Sequence, residues 1–385
     1  MYLTVDFLLK LLNNNKNCLD IQNSAKNQND QDQISLKNSQ EIDLLNKKKL
    51  IVQQNVEEYK NVPLEDIILQ KLTGLTNETF KVSHKFDQKK KYVLRIFGKA
   101  EGLVQPEKEN KIFVSLGEQE LGPKCIAVEV GVWRIEEFID NGIHPDVDQL
   151  KVPFLKYLLA IYISRFHQSN IDLDEKPLTQ RLLNNDNNIF ENFQKKSDNK
   201  QLFTESELTQ VQELQQIIST EWIEYLKQIQ PQGEEFNFIG HNDINQFNIF
   251  YSDTKEIGQQ IQFIDFEYCS KNYAGYDIAN FLNECCIDYA VDKFPFFVYR
   301  EDKELNQDEI HQFTRIYLIS LKYPKQSFEL EKLVIENKNL SQKELDDIIN
   351  EFIYNILAQS SFNEKYQFED DINNLVQQIN ACRIM

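Results

Sequence analysis

The chain has 385 residues, of which 41% are hydrophobic, including 26 Phe and 16 Tyr. That length exceeds one average domain, so we expect two domains or a two-lobed enzyme with a substantial core. The net charge of −19 argues against binding to nucleic acid or to an anionic membrane surface, because both require clustered Lys and Arg. No apolar stretch is long enough for a membrane span. The six cysteines lack Cys-x-x-Cys spacing, which argues against a zinc site and a disulfide framework and indicates a reduced, cytoplasmic protein.

The N-terminal segment differs in composition from the remainder of the chain. Residues from about 13 to 48 are dominated by Asn, Gln, Lys, Ser and Asp and contain few apolar anchors. Such a segment buries too little surface to offset the entropy lost when it becomes ordered. We therefore predict that residues 1–48 form a low-complexity extension that is disordered or loosely helical.

The rest of the sequence changes from a strand pattern to a helix pattern. Alternating apolar and polar residues predict strands at 67–71, 79–84, 92–97, 125–130 and 132–139, with one helix at 107–116. Helical spacing then predicts helices at 154–168, 205–228, 276–289, 307–321, 328–337 and 342–357, with short strands at 236–239, 248–251 and 261–264. We predict a nucleotide-binding lobe at 49–140 and a catalytic and acceptor-binding lobe at 141–385.

Two segments of the second lobe carry residues suited to phosphoryl transfer. Segment 238–250 contains His-Asn-Asp followed by Asn248, and segment 262–267 places Asp265 directly after an apolar run. Transfer from a nucleotide needs a carboxylate that receives the acceptor hydroxyl's proton and oxygen ligands that hold Mg²⁺ on the phosphates. The order Asp, Asn, Asp is that of kinases, so we predict Asp243 as the base and Asn248 and Asp265 as Mg²⁺ ligands. Alternatively, Asp243 and Asn248 are turn residues and Asp265 is a helix cap.

In the first lobe, Arg95 lies at the centre of an apolar strand. An arginine there must be exposed, paired or directed at a ligand, because burying it unpaired is costly. Glu109 on the following helix is a suitable partner, and kinases use a strand cation and a helix acid to hold the ATP phosphates. We predict this catalytic role for Arg95 and Glu109, with a surface salt bridge as the alternative.

Four further residues are candidates for binding ATP from their positions alone. Thr76 and Asn77 belong to a turn that follows the first predicted strand and that could cover the phosphates, although an ordinary hairpin turn is equally compatible. Glu137 and Ile139 end the last strand of the first lobe, where the chain would meet adenine through its backbone groups.

The stretch 264–280 reads Ile-Asp-Phe-Glu-Tyr-Cys-Ser-Lys-Asn-Tyr-Ala-Gly-Tyr-Asp-Ile-Ala-Asn. Together with the His-Asn-Asp loop at 241–243, it resembles the signature of the choline/ethanolamine kinases. The resemblance implies an α+β, bilobal protein-kinase-like fold of the aminoglycoside-phosphotransferase type, with a small β-rich lobe and a larger, mainly helical lobe. It also implies Mg²⁺- and ATP-dependent phosphorylation of the hydroxyl of choline or ethanolamine, which begins phospholipid head-group synthesis. Family members are often homodimers.

The same resemblance implies a pocket for the acceptor's ammonium group. It places Glu284 and Tyr289 in that pocket beside Asp243, and it gives Asp277 a structural role in fixing the catalytic loop. A quaternary ammonium forms no N–H hydrogen bonds, so aromatic faces and carboxylates must hold it.

The sequence departs from the family near its C-terminus. Family members carry two neighbouring tryptophans in a C-terminal helix, whereas this sequence has only Trp133 and Trp222 and is predicted to lack part of that helix. Either Phe362, Tyr366 or Phe368 replaces the tryptophans, or the pocket is open. The alternatives to a choline kinase are an ethanolamine-preferring kinase and a catalytically weak nucleotide-binding relative.

Overall fold

A computed structural model describes residues 30–72, 77–87, 89, 91–98, 105–183, 224, 227–228, 237–291, 297–359 and 361–384. The described residues divide into two compact units. The first comprises those up to Gly117 together with Pro123–Phe138, and the second comprises Glu118–Gly122 and those from Ile139 onwards. Within the described ranges, no helix is both long enough and apolar enough to cross a membrane.

The first unit is built around a five-stranded antiparallel sheet with the order β1-β2-β3-β5-β4. Along its strands, fully buried residues such as Val82, Leu94 and Ile135 face the core, which is the alternation that predicted the sheet. One helix follows β3 and begins at Pro106, where the missing N–H costs nothing. The strands and this helix are β1 Ile67–Lys71, β2 Glu78–His84, β3 Lys91–Ile96, β4 Cys125–Glu129, β5 Trp133–Glu137 and α2 Pro106–Glu118.

A helix, α1 (Asp30–Asn55), precedes the sheet and crosses the boundary predicted at residue 48. Its C-terminal part joins the core of the first unit, where Val52 and Val56 are fully buried. Lys48 donates to Glu78 at 2.8 Å and lies 4.5 Å from the centroid of the Phe80 ring. A helix in this region agrees with the loosely helical alternative for residues 1–48 where the structure describes them, and the boundary at residue 48 stays a prediction. Residues 1–29 lie outside the described ranges.

The second unit is mainly helical and surrounds α4 (Pro153–His167), whose residues are almost all buried. The predicted helices near 154–168, 307–321, 328–337 and 342–357 are confirmed, whereas nearly all of 205–228 lies outside the described residues. The remaining helices are α3 Val147–Leu150, α5 Leu178–Leu183, α6 Ala274–Glu284, α7 Gln307–Lys322, α8 Pro324–Glu336, α9 Gln342–Ala358 and α10 Phe362–Ile384.

Among the described residues, three antiparallel strand pairs belong to the second unit and flank residues predicted to be functional. In the pair β7–β8, Ile249 lies opposite Phe263, which brings the two predicted metal-ligand segments to one end of a hairpin. The pairs are β6 Asn237–Gly240 with β9 Ser270–Tyr273, β7 Ile249–Tyr251 with β8 Ile261–Phe263, and β10 Ile287–Asp288 with β11 Val298–Tyr299.

Two elements differ from the prediction. The helix predicted at 276–289 ends at Glu284, because Ile287 and the next residue pair with β11 instead. No helix was predicted after residue 357, whereas α10 extends over 23 residues. One face of α10 packs against α6 and α7; its buried side chains are Phe368, Ile372, Leu375, Val376, Ile379 and Cys382.

Candidate active site

Asp277, in the first turn of α6, holds the loop that follows β6. Its carboxylate accepts hydrogen bonds from the backbone N–H groups of His241 and Asn242, both at 2.7 Å, and from Nε2 of His167 at 3.0 Å. Burial alone would raise the pKa of Asp277, but these hydrogen bonds and the neighbouring imidazoles outweigh it and hold the pKa below its ordinary value. The structural role predicted for Asp277 is confirmed, since a buried charge with these donors anchors the loop.

Two residues of the candidate site have strained backbone, and side-chain hydrogen bonds hold one of them, Asn242, in its conformation. Asn242 has φ of 65° and Asp265 has φ of 66°, in the left-handed region that side chains usually avoid. The Asn242 amide donates to the carbonyls of Gly240 and Tyr268 at 3.1 and 3.0 Å and accepts from Asn272 at 2.7 Å. Strained backbone that its surroundings hold so firmly is typical of functional sites.

The predicted base, Asp243, is fixed in position by two asparagines. Asn245 Nδ2 donates to Asp243 Oδ1 at 3.0 Å, and Asn248 Nδ2 donates to Asp243 Oδ2 at 2.9 Å. The side chain of Asp243 is only half-buried, so its carboxylate has a defined orientation while it remains accessible to a small molecule. Such an orientation suits a group that must meet one proton of a bound substrate.

Asn248 is oriented so that its amide oxygen is available to a ligand. Its Nδ2 donates both to the carboxylate and to the backbone carbonyl of Asp243, each at 2.9 Å, so its Oδ1 points the opposite way. Among the described residues, no hydrogen bond reaches this oxygen. The Ile264 N–H donates to the Asn248 carbonyl at 3.0 Å, which places Asp265 one residue beyond the partner of Asn248.

These oxygen donors fit Mg²⁺, which takes one or two protein oxygens and completes its shell with phosphate and water. Within the described ranges, no cluster of three His, Cys, Asp or Glu side chains could hold a metal ion. The Asn248 amide and the Asp265 carboxylate stay the predicted metal ligands.

His241, the first residue of the His-Asn-Asp motif, is a structural residue. Its side chain is fully buried, and its Nε2 donates to the Ile264 carbonyl at 2.9 Å. Burial is the main cause that lowers its pKa, so the imidazole is neutral and ties the loop to the end of β8.

The two residues predicted to face the acceptor's ammonium contact each other. Glu284 is the last residue of α6, and Tyr289 follows β10. The Tyr289 hydroxyl donates to Glu284 Oε2 at 2.9 Å, so the strand that replaced the end of the predicted helix brings an aromatic ring and a carboxylate together.

In the first unit, Arg95 belongs to a buried network that the sequence analysis did not identify. Arg95 Nε lies 3.3 Å from Glu136 Oε1, and the same oxygen contacts Nη2 of Arg134 at 2.8 Å. Arg134, which lies opposite Arg95 in the β3–β5 pair, contacts Glu109 at 3.0 Å. The structure thus links Arg95 and Glu109 through Glu136 and Arg134, and the direct pairing stays a prediction. The signal for Arg134 was present in the sequence as a second strand arginine between apolar residues.

The other residues predicted to bind nucleotide have different surroundings. The Asn77 side-chain oxygen accepts the N–H of Gly98 at 3.2 Å, whereas Thr76 lies outside the described residues. The Glu137 N–H donates to the Lys124 carbonyl at 2.9 Å, and Ile139 begins the second unit's main segment. Their roles toward ATP stay predictions.

The chain has a unit with a five-stranded antiparallel sheet and a mainly helical unit. The second unit carries Asp243 and Asn248 before β7 and Asp265 after β8, and this combination is typical of the protein-kinase-like class of phosphotransferases. Within that class, the chain belongs to the choline/ethanolamine kinase family, because residues 68–380 match the family model with that description. The predicted fold class and the resemblance are confirmed.

Individual relatives agree with this assignment. The chain is 25% identical to mouse choline kinase alpha over 290 residues, which are 67% of this chain and 62% of that protein. It is 25% identical over 296 residues to probable ethanolamine kinase A of Dictyostelium discoideum, covering 74% of this chain and 78% of that one. The chain thus spans less than two thirds of mouse choline kinase alpha, and likewise 64% of rat choline/ethanolamine kinase.

Two solved structures share the fold. Choline kinase from Cryptosporidium parvum aligns with a TM-score of 0.56 and 21% identity, covering 86% of this chain and 94% of that one. Plasmodium vivax ethanolamine kinase aligns with a TM-score of 0.54 and 20% identity, covering 87% and 86% respectively.

Proposed function

We propose that this protein transfers the terminal phosphoryl group of ATP to the hydroxyl of choline or ethanolamine. The observation that carries the proposal is the half-buried Asp243 carboxylate, held by the amides of Asn245 and Asn248. In the reaction, the acceptor O–H bond breaks, its proton passes to Asp243, and the oxygen forms a bond to the γ-phosphorus. The bond from that phosphorus to the ADP oxygen breaks, so the products are ADP and the phosphorylated amino alcohol.

Mg²⁺ fits the oxygen donors at the end of β7 and β8. When bound, it would neutralise the negative charge of the phosphates. Asn248 would supply its Oδ1, which the two bonds from its Nδ2 to Asp243 orient, and Asp265 would supply its carboxylate. Asp265 follows the residue that hydrogen-bonds Asn248, so one hairpin end would carry both ligands.

Arg95 is the residue proposed to hold the ATP phosphates. It is anchored through Glu136, and the same acid also binds Arg134. A guanidinium held by a carboxylate keeps its remaining N–H groups in a fixed plane, which suits phosphate oxygens. Family membership supports nucleotide binding by Thr76, Asn77, Glu109, Glu137 and Ile139 as well. A homodimer and a cytoplasmic location remain predictions.

The acceptor's ammonium is assigned to Glu284 and Tyr289. Their hydrogen bond of 2.9 Å fixes the tyrosine ring beside a carboxylate, and a cation is attracted to both groups. The relatives include both choline kinases and ethanolamine kinases, and choline is the acceptor that we favour.

Phosphorus NMR of the reaction products tests the proposal. The protein is incubated with ATP, Mg²⁺ and either choline or ethanolamine, and the spectrum distinguishes a phosphate monoester from inorganic phosphate. We expect a monoester with at least one amino alcohol and its loss in Asp243→Asn. ATP hydrolysis to inorganic phosphate alone, or no reaction with either acceptor, would contradict the proposed function and favour a nucleotide-binding relative.

A further inference from the structure

Phe247 has an exposure that its neighbours in the catalytic loop do not share. It lies in the short helical turn Gln246–Asn248, and its side chain is 53% exposed while those of Gln246 and Asn248 are 8% and 6% exposed. More than half of its surface is open to solvent, so a small molecule can contact the ring. The loop therefore presents an aromatic surface within the segment that carries the base.

The Phe247 ring contacts the residue already assigned to the acceptor. Its centroid lies 5.6 Å from that of the Tyr289 ring, with an angle of 49° between the two planes. Tyr289 in turn donates its hydroxyl to Glu284. The two rings and the carboxylate thus form one cluster, which we call the aromatic–acid cluster (Phe247, Tyr289 and Glu284).

The aromatic–acid cluster is connected to the base through one side chain. The Phe247 N–H donates to Asn245 Oδ1 at 2.9 Å, and Asn245 Nδ2 donates to Asp243 Oδ1 at 3.0 Å. The side-chain amide of Asn245 therefore links the backbone of Phe247 to the carboxylate of Asp243.

The chemistry of the cluster selects among ammonium groups. A primary ammonium donates three hydrogen bonds and pays a large desolvation cost on an aromatic surface, whereas a quaternary ammonium donates none and binds aromatic faces well. Building on the proposed function, we infer that Phe247 is a specificity-determining residue, which forms with Tyr289 the surface that binds a trimethylammonium group, while Glu284 balances its charge.

Among the C-terminal aromatic residues considered as replacements for the tryptophans, Phe368 is buried and cannot face a ligand. Phe368 is only 1% exposed, on the face of α10 that packs against other helices, and Tyr366 is 61% exposed on the same helix. The side chain of Phe362 lies outside the described atoms.

Phe247→Leu, which keeps an apolar side chain but removes the aromatic face, tests this inference. We expect the KM for choline to rise about 3- to 30-fold, the range that one cation–π contact covers. The KM for ethanolamine should change less, and kcat and the KM for ATP should stay within about twofold. Phe247→Tyr should restore the KM for choline. Phe328→Leu, which removes a ring that is 51% exposed on α8, is the matched control and should leave every constant unchanged.

The outcomes separate this inference from the proposed function. If the wild type phosphorylates choline and Phe247→Leu has the wild-type KM for choline, the inference is wrong and the proposed function stands. Equal rises in KM for choline, ethanolamine and ATP would indicate a disturbed loop and would also overturn it. If the wild type phosphorylates neither acceptor, calorimetric titration with choline decides: weaker binding to Phe247→Leu supports the cluster, and equal or absent binding refutes it.

Discussion

Replacing Asp277 by Asn tests how the catalytic loop is held. The substitution keeps the shape of the side chain but exchanges one accepting oxygen for a donating NH₂ group. In the native protein, Oδ1 accepts the N–H of Asn242 and Oδ2 accepts the N–H of His241, both at 2.7 Å. Whichever way the amide turns, its nitrogen faces a backbone N–H, so at least one buried donor loses its acceptor.

The expected cost follows from that lost acceptor. A buried donor without a partner costs about 1–3 kcal/mol, and exchanging a charged acceptor for a neutral one weakens the bond that remains. We expect Asp277→Asn to lower the free energy of unfolding by about 2–4 kcal/mol. A loop displaced by about 1 Å can also lose on the order of a hundredfold in turnover, since Asp243 follows Asn242 directly.

Urea unfolding and steady-state kinetics measure the two effects on the same samples. The matched control is Asp146→Asn, because Asp146 is an exposed helix N-cap that accepts Gln149 N–H at 2.8 Å and Asn caps helices as well as Asp does. The control should unfold within about 0.5 kcal/mol of the wild type. The reasoning is wrong if Asp277→Asn unfolds at the same urea concentration as Asp146→Asn and keeps wild-type turnover.

Three further predictions concern the metal, the N-terminal helix and pH. Asp265→Ala should abolish Mg²⁺-dependent turnover while the protein stays folded; an unchanged Mg²⁺ titration of activity would remove Asp265 from the metal site. Deleting residues 1–40 should leave the melting temperature unchanged. Val52→Ala should lower the free energy of unfolding by about 2 kcal/mol, because a fully buried side chain loses two carbons. Equal melting temperatures for both variants and the wild type would show that α1 does not stabilise the first unit. His241 has a pKa below its ordinary value in the folded state, so as the pH falls the unfolded chain binds the proton before the folded chain does. The folded state therefore loses stability below about pH 6.5, with a limiting slope of about 1.4 kcal/mol per pH unit. Urea unfolding between about pH 5 and 8 should show a shallower slope for His241→Asn, and identical slopes would refute this contribution.

The sequence predicted the elements whose signals are local. The alternation in β2 and β3 and the helical spacing of α7 are read within a few residues, and the structure confirms them. The sequence could also nominate the candidate site, because the predicted base and one predicted metal ligand lie within one short segment. The structural role of Asp277 was predicted correctly, because Asp277 lies in the stretch 264–280 that resembles the family signature.

The features that the sequence analysis missed depend on contacts between distant segments. The apolar stripe of α10 lies among many charged and amide side chains, and only packing against α6 and α7 shows that a helix forms there. Arg134 becomes informative only when β5 pairs with β3 and places it opposite Arg95. The sequence gives no sign that Phe247 contacts Tyr289, because the two residues lie in different segments of the chain.

The most direct test of the proposed chemistry is ADP release measured with Mg²⁺ and ATP, with choline, ethanolamine or no acceptor, for the wild type and Asp243→Asn. We predict acceptor-dependent release that falls by a hundredfold or more in the variant, since general-base catalysis contributes about 10²–10⁴-fold, while the variant still binds ATP. Acceptor-dependent turnover of Asp243→Asn equal to that of the wild type would contradict the assignment of Asp243 as the base, on which the account depends.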